Sequence, residues 1–139
     1  MTMRVEFVSP EQTLYSGQAD QVIARTRGGG DIAFLTGHEP FIGSLVPCEV
    51  RVFEERGDVK SFAVRGGFVS VTGTEVTVLS DAAVAADEVD IAAARADLAE
   101  ASTAEQANPE DPYARADRQW AEIRLSAAGQ PVGGDGVAH

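Results

Sequence analysis

The distribution of hydrophobic residues changes from a two-residue repeat to a helical repeat near residue 86. Before this point, short runs alternate between apolar and polar residues, as at Met3, Val5 and Phe7, which have charged residues between them. Residues 49–54 and 75–80 alternate in the same way. Because successive side chains of a β-strand point to opposite faces, this pattern predicts strands with one buried face.

Glycines separate these runs, at positions 28–30, 57, 66–67 and 73. Glycine adopts the positive φ that tight turns need without a steric penalty. Many short strands with frequent turns are typical of a β-sandwich or a barrel. The pattern therefore predicts an all-β domain over residues 1–86.

Residues 87–128 show the three-four spacing of two helices. Asp87 can cap the first helix, which places Glu88 and Asp90 in its first turn. The prolines and acids of residues 108–112 predict the start of the second helix. The predicted buried stripes are Ile91, Ala94, Leu98 and Ala101 on the first helix, and Tyr113, Ala116, Trp120, Ile123 and Ala127 on the second.

Two such helices with a short connector predict an antiparallel hairpin over residues 87–128. Its stripes are rich in alanine, which buries little area; at about 25 cal/mol per Å² of apolar surface, an alanine seam stabilises less than a leucine seam. We therefore expect the hairpin to detach at modest cost. Residues 129–139 form a glycine-rich tail that we expect to be disordered.

The formal net charge is −11, from 22 acids and 11 bases. This argues against nucleic acid as a partner, since binding phosphates needs clustered Lys and Arg, and against direct docking on anionic lipid. No stretch approaches the roughly 20 apolar residues of a membrane span. With Cys48 as the only cysteine, no intrachain disulfide can form. These features favour a cytoplasmic protein that meets a membrane only through other proteins.

The residues that carry chemistry are few, and no catalytic or metal-binding constellation emerges from them. The histidines are His38 and His139, and the second lies in the tail. One further histidine and one cysteine do not supply the usual ligand set of a zinc site. Cys48 with His38 as a thiol hydrolase is the remaining enzymatic hypothesis, and a packing cysteine is the favoured interpretation.

Three stretches resemble the epsilon subunit family of F-type, proton-translocating ATP synthases. Residues 8–17 (VSPEQTLYSG) look like the family's opening strand and turn. Residues 30–40 (GDIAFLTGHEP) are similar to its GxxGIxPGHxPL segment, the most specific of the three. Residues 62–71 (FAVRGGFVSV) with 76–81 (VTVLSD) resemble its SGGFLEV…VTVLAD close. The resemblance covers residues 3–86 well and the hairpin only in outline.

The resemblance implies a mainly β fold with α, in which an N-terminal two-sheet β-sandwich precedes the helical hairpin. It implies a non-catalytic rotor subunit of the central stalk, at the cytoplasmic face of the bacterial plasma membrane. Its partners would be the gamma subunit, the c-subunit ring and the alpha/beta catalytic head. By this resemblance Asp31 and His38 would face the ring. The implied gamma-facing residues are Phe41, Ile42, Gly43, Gly66 and Gly67.

The chain departs from the family pattern at several positions. Thr36 stands in place of the usual proline and Ala33 in place of the usual glycine, so we expect a less rigid loop. In some relatives an I/L-D-x-x-R-A motif binds ATP. Here Asp90 is kept but Ala93 stands where the arginine should be, so no cofactor is expected and Asp90 remains the one nucleotide-binding candidate.

Inhibition of ATP hydrolysis by the hairpin, known in the family, uses basic residues of the second helix. Residues 110–129 hold three arginines and four acids, with no basic run, so this electrostatic route is not favoured. An alternative function is a β-sandwich adaptor whose hairpin recruits a partner helix. That adaptor would need an exposed stripe that includes Tyr113 and Trp120.

Overall fold

In the computed structural model, which describes residues 2–131, nine strands precede two helices. The strands are β1 (Met3–Val8), β2 (Thr13–Thr26), β3 (Gly30–Leu35), β4 (Phe41–Leu45), β5 (Cys48–Glu54), β6 (Val59–Val64), β7 (Gly67–Val71), β8 (Glu75–Leu79) and β9 (Ala83–Ala85). A short 3-10 turn, Ala86–Glu88, leads to α1 (Ile91–Ala107) and α2 (Pro112–Ala127).

The strands follow the order β1-β8-β7-β4-β2-β5-β6-β9, with β3 on β2 and a further pairing between β1 and β2. The long strand β2 joins the two sheets, because its first half pairs with β1 and its second half with β3 and β5. Phe7 of β1 stacks on Phe62 of β6 with ring centroids 4.5 Å apart, although these strands are not neighbours. The two sheets therefore pack face to face, and the predicted two-sheet sandwich is confirmed.

The predicted alternation places the core side chains as expected. Met3, Val5 and Phe7 are at most 1% exposed, and the valines of β5 and β8 are fully buried. The charged residues between them face outward on each strand, as in the Arg4–Glu6 ion pair on β1 at 2.8 Å. Burial of this apolar surface, which is favourable by about 25 cal/mol per Å², holds the sandwich together.

The first helix begins later than the sequence predicts. Asp87 lies in the 3-10 turn, and Val89 is extended, with φ −66° and ψ 128°, so the helix cannot start there. Asp90 is the N-cap instead, where its carboxylate accepts a hydrogen bond from the Ala93 amide at 3.0 Å. The second helix begins as predicted, with Pro112 in its first turn and Asp111 as its cap.

The predicted stripe on α2 is partly wrong. Tyr113 is 79% exposed, and the buried face carries Ala114, Ala121 and Leu125. Arg118 occupies the helical position between Ala114 and Ala121, so the seam is interrupted by a charge and its repeat is hidden in the sequence. On α1 the predicted alanines of the seam, at positions 94 and 101, are buried, whereas Ile91 is 36% exposed, so its place in the predicted stripe is wrong.

The hairpin lies on the outer surface of the sandwich, where α2 packs against β5 and β6. Ala63 is fully buried but stands outside the core cluster, so the helices cover it. Arg65 and Asp117 form an ion pair across this contact at 2.9 Å. Of the predicted tail, Gly129 turns the chain with φ +77°, whereas positions 132–139, with His139, lie outside the described residues.

Candidate partner-binding surfaces

The loop between β3 and β4, residues 36–40, carries His38 at one end of the sandwich; we call it the His38 loop. The amide of Gly37, whose φ is +90°, donates to the Gly73 carbonyl at 2.8 Å and fastens the loop to the β7–β8 turn. The His38 amide donates to the Leu35 carbonyl at 3.0 Å, and its Nδ1 donates to the Glu39 carbonyl at 2.7 Å. The loop thus has a defined backbone and a half-buried imidazole.

Asp31 lies at the opposite end of β3 from the His38 loop. At about 3.3 Å per residue, the four steps from Asp31 to Leu35 alone separate the two sites by about 13 Å. Asp31 pairs with Arg25 in a two-pronged contact at 2.9 and 3.3 Å, which lowers the pKa of its carboxyl. It lines a cavity of about 240 Å³ beside Ile123 of α2. The structure therefore does not bring Asp31 and His38 to one surface.

The outer face of β4, β7 and β8 carries an exposed group of large apolar side chains, Ile42, Phe68 and Leu79, which we call the apolar patch. They are 78%, 56% and 45% exposed. Phe68 stands directly opposite Leu79. Ile42 pairs with Ser70, which is two residues from Phe68 along β7 and therefore on the same face of the sheet. Cross-strand neighbours of this kind lie about 4.5–8 Å apart, so the three side chains form one surface.

The remaining gamma-facing candidates do not expose side chains on this surface. Phe41 is half-buried and packs against the core, and its ring lies over Gly43. Gly67 has φ +143°, and a Cβ atom there would lie 2.1 Å from the Leu79 carbonyl oxygen. This glycine therefore permits the close approach of β7 and β8, and with Gly66 it positions Phe68.

Of the three residues in the apolar patch, the family resemblance predicts Ile42 but not Phe68 or Leu79. A signal exists in the sequence: Phe68 and Leu79 are large apolar residues in the outward register of strands whose inward positions are valines. Exposed apolar groups of this size mark partner-binding surfaces more often than isolated exposed residues do.

The hairpin places the nucleotide candidate Asp90 at the N-cap of α1, where its carboxylate already has a backbone partner. A cavity of about 360 Å³ opens between the helices and Arg65. Its arginines, Arg65 and Arg124, are each paired with a carboxylate, Asp117 and Asp97 respectively. A phosphate group would have to displace these acids.

The hairpin does not present the continuous stripe that an adaptor would need. Tyr113 is exposed, but Trp120 is half-buried and lies beneath the Arg124 guanidinium, 5.3 Å from the ring centroid.

Cys48 and His38 do not form a catalytic pair. Cys48 is buried, its Sγ donates to the Arg25 carbonyl at 3.9 Å, and burial raises the pKa of its thiol, which disfavours the thiolate nucleophile. The His38 ring instead contacts Phe34 and Phe41. Within residues 2–131, no group of three or more His, Cys, Asp or Glu side chains could hold a metal ion. Neither helix of that range is both long and apolar enough to cross a bilayer.

Comparison with known proteins gives a consistent result. Residues 2–86 match the family described as ATP synthase, Delta/Epsilon chain, beta-sandwich domain. The ATP synthase epsilon chain of Corynebacterium urealyticum is 47% identical over 102 residues, which are 73% of this chain and 82% of that protein. The ATP synthase epsilon chain of Corynebacterium efficiens is 42% identical over 126 residues, 90% of this chain and 95% of that protein.

Solved structures share the fold at lower identity. A chain from the mitochondrial ATP synthase of Euglena gracilis, in its OSCP/F1/c-ring part, superposes with a TM-score of 0.68 at 22% identity. The match covers 92% of this chain and 78% of that chain. A chain from the central stalk and c-ring of the Tetrahymena thermophila enzyme gives a TM-score of 0.58 at 16% identity, over 92% and 97% of the two chains.

Proposed function

This chain belongs to the ATP synthase delta/epsilon family, and we propose that it is a non-catalytic rotor subunit that couples rotation of a c-subunit ring to ATP synthesis in the catalytic head. In this role the β-sandwich is held by a gamma subunit on one surface and rests on the ring at another. The related chains of known structure come from ATP synthase assemblies that include a c-ring and, in one case, the central stalk. The complex would place the protein at the cytoplasmic face of a bacterial membrane.

The observation that carries the proposal is the apolar patch, whose member Ile42 lies on β4, the strand that begins beside the His38 loop. Large apolar side chains on a rigid sheet make favourable anchors for a protein partner. We assign the apolar patch to the gamma subunit, with Ile42 as its most exposed member. We assign the His38 loop to the ring, since it lies at one end of the sandwich and its backbone is fixed by hydrogen bonds. Asp31, paired with Arg25 beside α2, is the weaker ring candidate.

Regulation of ATP hydrolysis by the hairpin would require its arginines to exchange partners. Arg118 is paired with Glu105 and Glu122, and Arg124 with Asp97, inside the folded hairpin. We therefore propose coupling as the main role of this chain, and the closed hairpin as its resting state.

A direct test replaces the apolar patch and measures binding to the gamma subunit of the same organism by calorimetry. The Ile42→Ser, Phe68→Ser double variant should weaken binding at least roughly 30-fold, since the loss of even one buried anchor costs about 2 kcal/mol or more. Both side chains are exposed, so the sandwich should keep its stability.

Val59→Ser is the matched control, because Val59 is also exposed, at 48%, but lies on β6, away from the apolar patch. Tyr113→Ser tests the adaptor alternative, in which the hairpin would carry the binding. Unchanged gamma affinity in the double variant would overturn the assignment, and a loss confined to Tyr113→Ser would favour the adaptor.

A further inference from the structure

We infer that Phe41 and Gly43 are positioning residues for the imidazole of His38 and belong to the ring-facing site rather than to the gamma-facing surface. The inference rests on the proposed function, in which the His38 loop meets the ring. It reassigns two residues that the family resemblance places on the gamma side.

The imidazole is held by two aromatic rings. Phe34 meets it edge to face, with centroids 5.1 Å apart and planes at 74°, and Phe41 does the same at 6.4 Å and 87°. The two phenylalanines also contact each other at 5.6 Å. Phe34 is fully buried in the close-packed core, so the half-buried Phe41 ring is the contact of His38 that a substitution displaces more readily.

Gly43 determines where the Phe41 ring lies. A Cβ atom at residue 43 would stand 2.8 Å from both Cε2 and Cζ of Phe41. The absence of a side chain at this position is therefore what allows the ring to lie across the strand and reach His38. Any larger residue must push the Phe41 ring away, and the ring is the movable partner in that contact.

The hydrogen bonds of His38 define which atom is offered to a partner. Its Nδ1 donates to the Glu39 carbonyl at 2.7 Å, so in the neutral ring Nε2 is an acceptor. The backbone of the loop is fixed independently, through the Gly37–Gly73 and His38–Leu35 hydrogen bonds. Phe41 thus fixes the direction of the Nε2 lone pair without determining the course of the backbone.

The strand β4 consequently serves two surfaces with alternate residues. Phe41 and Gly43 point inward and support His38, whereas Ile42 points outward in the apolar patch. Changes at positions 42 and 43 should therefore have separable effects, although the residues are adjacent.

The test compares Gly43→Ala with Ile42→Ser in the full-length chain. In Gly43→Ala the His38 Hδ2 and Hε1 signals should shift in the NMR spectrum, because the Phe41 ring current moves. The complex of this chain with the gamma subunit, formed beforehand, should bind the detergent-solubilised c-ring about 2- to 10-fold more weakly. This is the range expected for one lost hydrogen bond. Gamma affinity should stay within about twofold of wild type, as for a residue outside that interface. Ile42→Ser should instead lower the affinity for the gamma subunit and leave the His38 signals and the affinity for the c-ring unchanged.

A double-mutant cycle separates positioning from general damage. If Gly43 acts through Phe41, Gly43→Ala should cause no additional His38 shift in a Phe41→Leu background, which keeps apolar volume but removes the ring. Additive shifts, or unmoved His38 signals in Gly43→Ala, would overturn the inference. His38→Ala is the reference for the proposed function: if it leaves ring affinity unchanged, the ring assignment fails, while the NMR cycle still decides whether Gly43 and Phe41 orient the imidazole.

Discussion

The β-sandwich and the helical hairpin fill their cores with side chains of different size. The sandwich buries Phe7, Phe34 and Met3 together with many valines. The hairpin buries alanines at five positions, and Leu125 is its one large fully buried side chain among the described residues. Since the stabilisation from burial follows the apolar area removed from water, we expect the sandwich to be the rigid body of this chain and the hairpin to be the part that opens first.

Charged contacts hold the hairpin together where apolar area is missing. Arg118 lies between Glu105 and Glu122, and these acids raise the pKa of its guanidinium. Arg124 pairs with Asp97 across the helices at 3.0 Å. Ion pairs that remain partly exposed contribute about 0–1 kcal/mol each and weaken with salt. The hairpin should therefore respond to ionic strength, and the sandwich much less.

The largest expected effect is in the sandwich core, with Phe7→Ala. Phe7 is fully buried and stacks on Phe62, so its removal leaves a cavity between the sheets. We expect the free energy of unfolding to fall by about 3–5 kcal/mol. Urea unfolding measures this change, and the reaction rate of the buried Cys48 thiol with a thiol reagent should rise in parallel.

Phe68→Ala is the matched control for this prediction, since it removes the same side chain from the exposed apolar patch. Its effect on the free energy of unfolding should be within about 0.5 kcal/mol, as for other surface substitutions. Equal losses in the two variants would mean that the sandwich is not divided into a buried and a partner-facing side.

The next largest effect is expected in the hairpin seam, with Leu125→Ala. The lost burial should cost about 2–3 kcal/mol, near the low end for buried leucines. We expect the hairpin to open separately, so native-state hydrogen exchange should show faster exchange in α1 and α2 and unchanged exchange in the strands that α2 does not cover, β1–β4, β7 and β8. Ile91→Ala, at a position 36% exposed, is the control and should change little. Faster exchange throughout the sandwich would show that the two regions unfold as one unit.

The sequence predicts the local elements of this fold better than their arrangement. Alternation identifies β1, β5 and β8 because each of these has one buried face, and Asp111 with Pro112 marks the start of α2. The parallel pairing of β1 with β8 joins residues about 70 positions apart, and local patterns carry no information on such contacts. Arg118 in the seam hid the true buried face of α2, because its neutralisation by Glu105 comes from the other helix.

In the candidate site, too, the sequence predicts some residues and not the packing that positions them. His38 and Ile42 follow from the resemblance to a family, and the outward register of Phe68 could have been read from its strand. The inward roles of Phe41 and Gly43 depend on where one aromatic ring lies, which is a property of side-chain packing. The separation of Asp31 from His38 needed only the prediction that residues 30–35 form a strand, since a strand keeps its two ends apart.

The smallest expected effect is at the contact between the two regions, with Arg65→Gln. Arg65 and Asp117 are joined at 2.9 Å, but their side chains are 43% and 59% exposed, so the pair should contribute at most about 1 kcal/mol. That contribution should appear as weaker protection of the β6 amides under α2, whereas α1–α2 contacts stay intact. Hydrogen exchange in low salt and in 0.5 M NaCl measures this contribution. At 0.5 M NaCl the Debye length is about 4 Å, so the attraction of an exposed ion pair is screened. Wild type should lose protection on adding salt, and Arg65→Gln should already be near the high-salt value.

Arg56→Gln, in the exposed β5–β6 turn, is the control for a lost positive charge. If Arg65→Gln keeps the salt dependence of wild type, the hairpin is held to the sandwich by apolar contact around Ala63 alone, and the ionic part of the comparison fails at this contact.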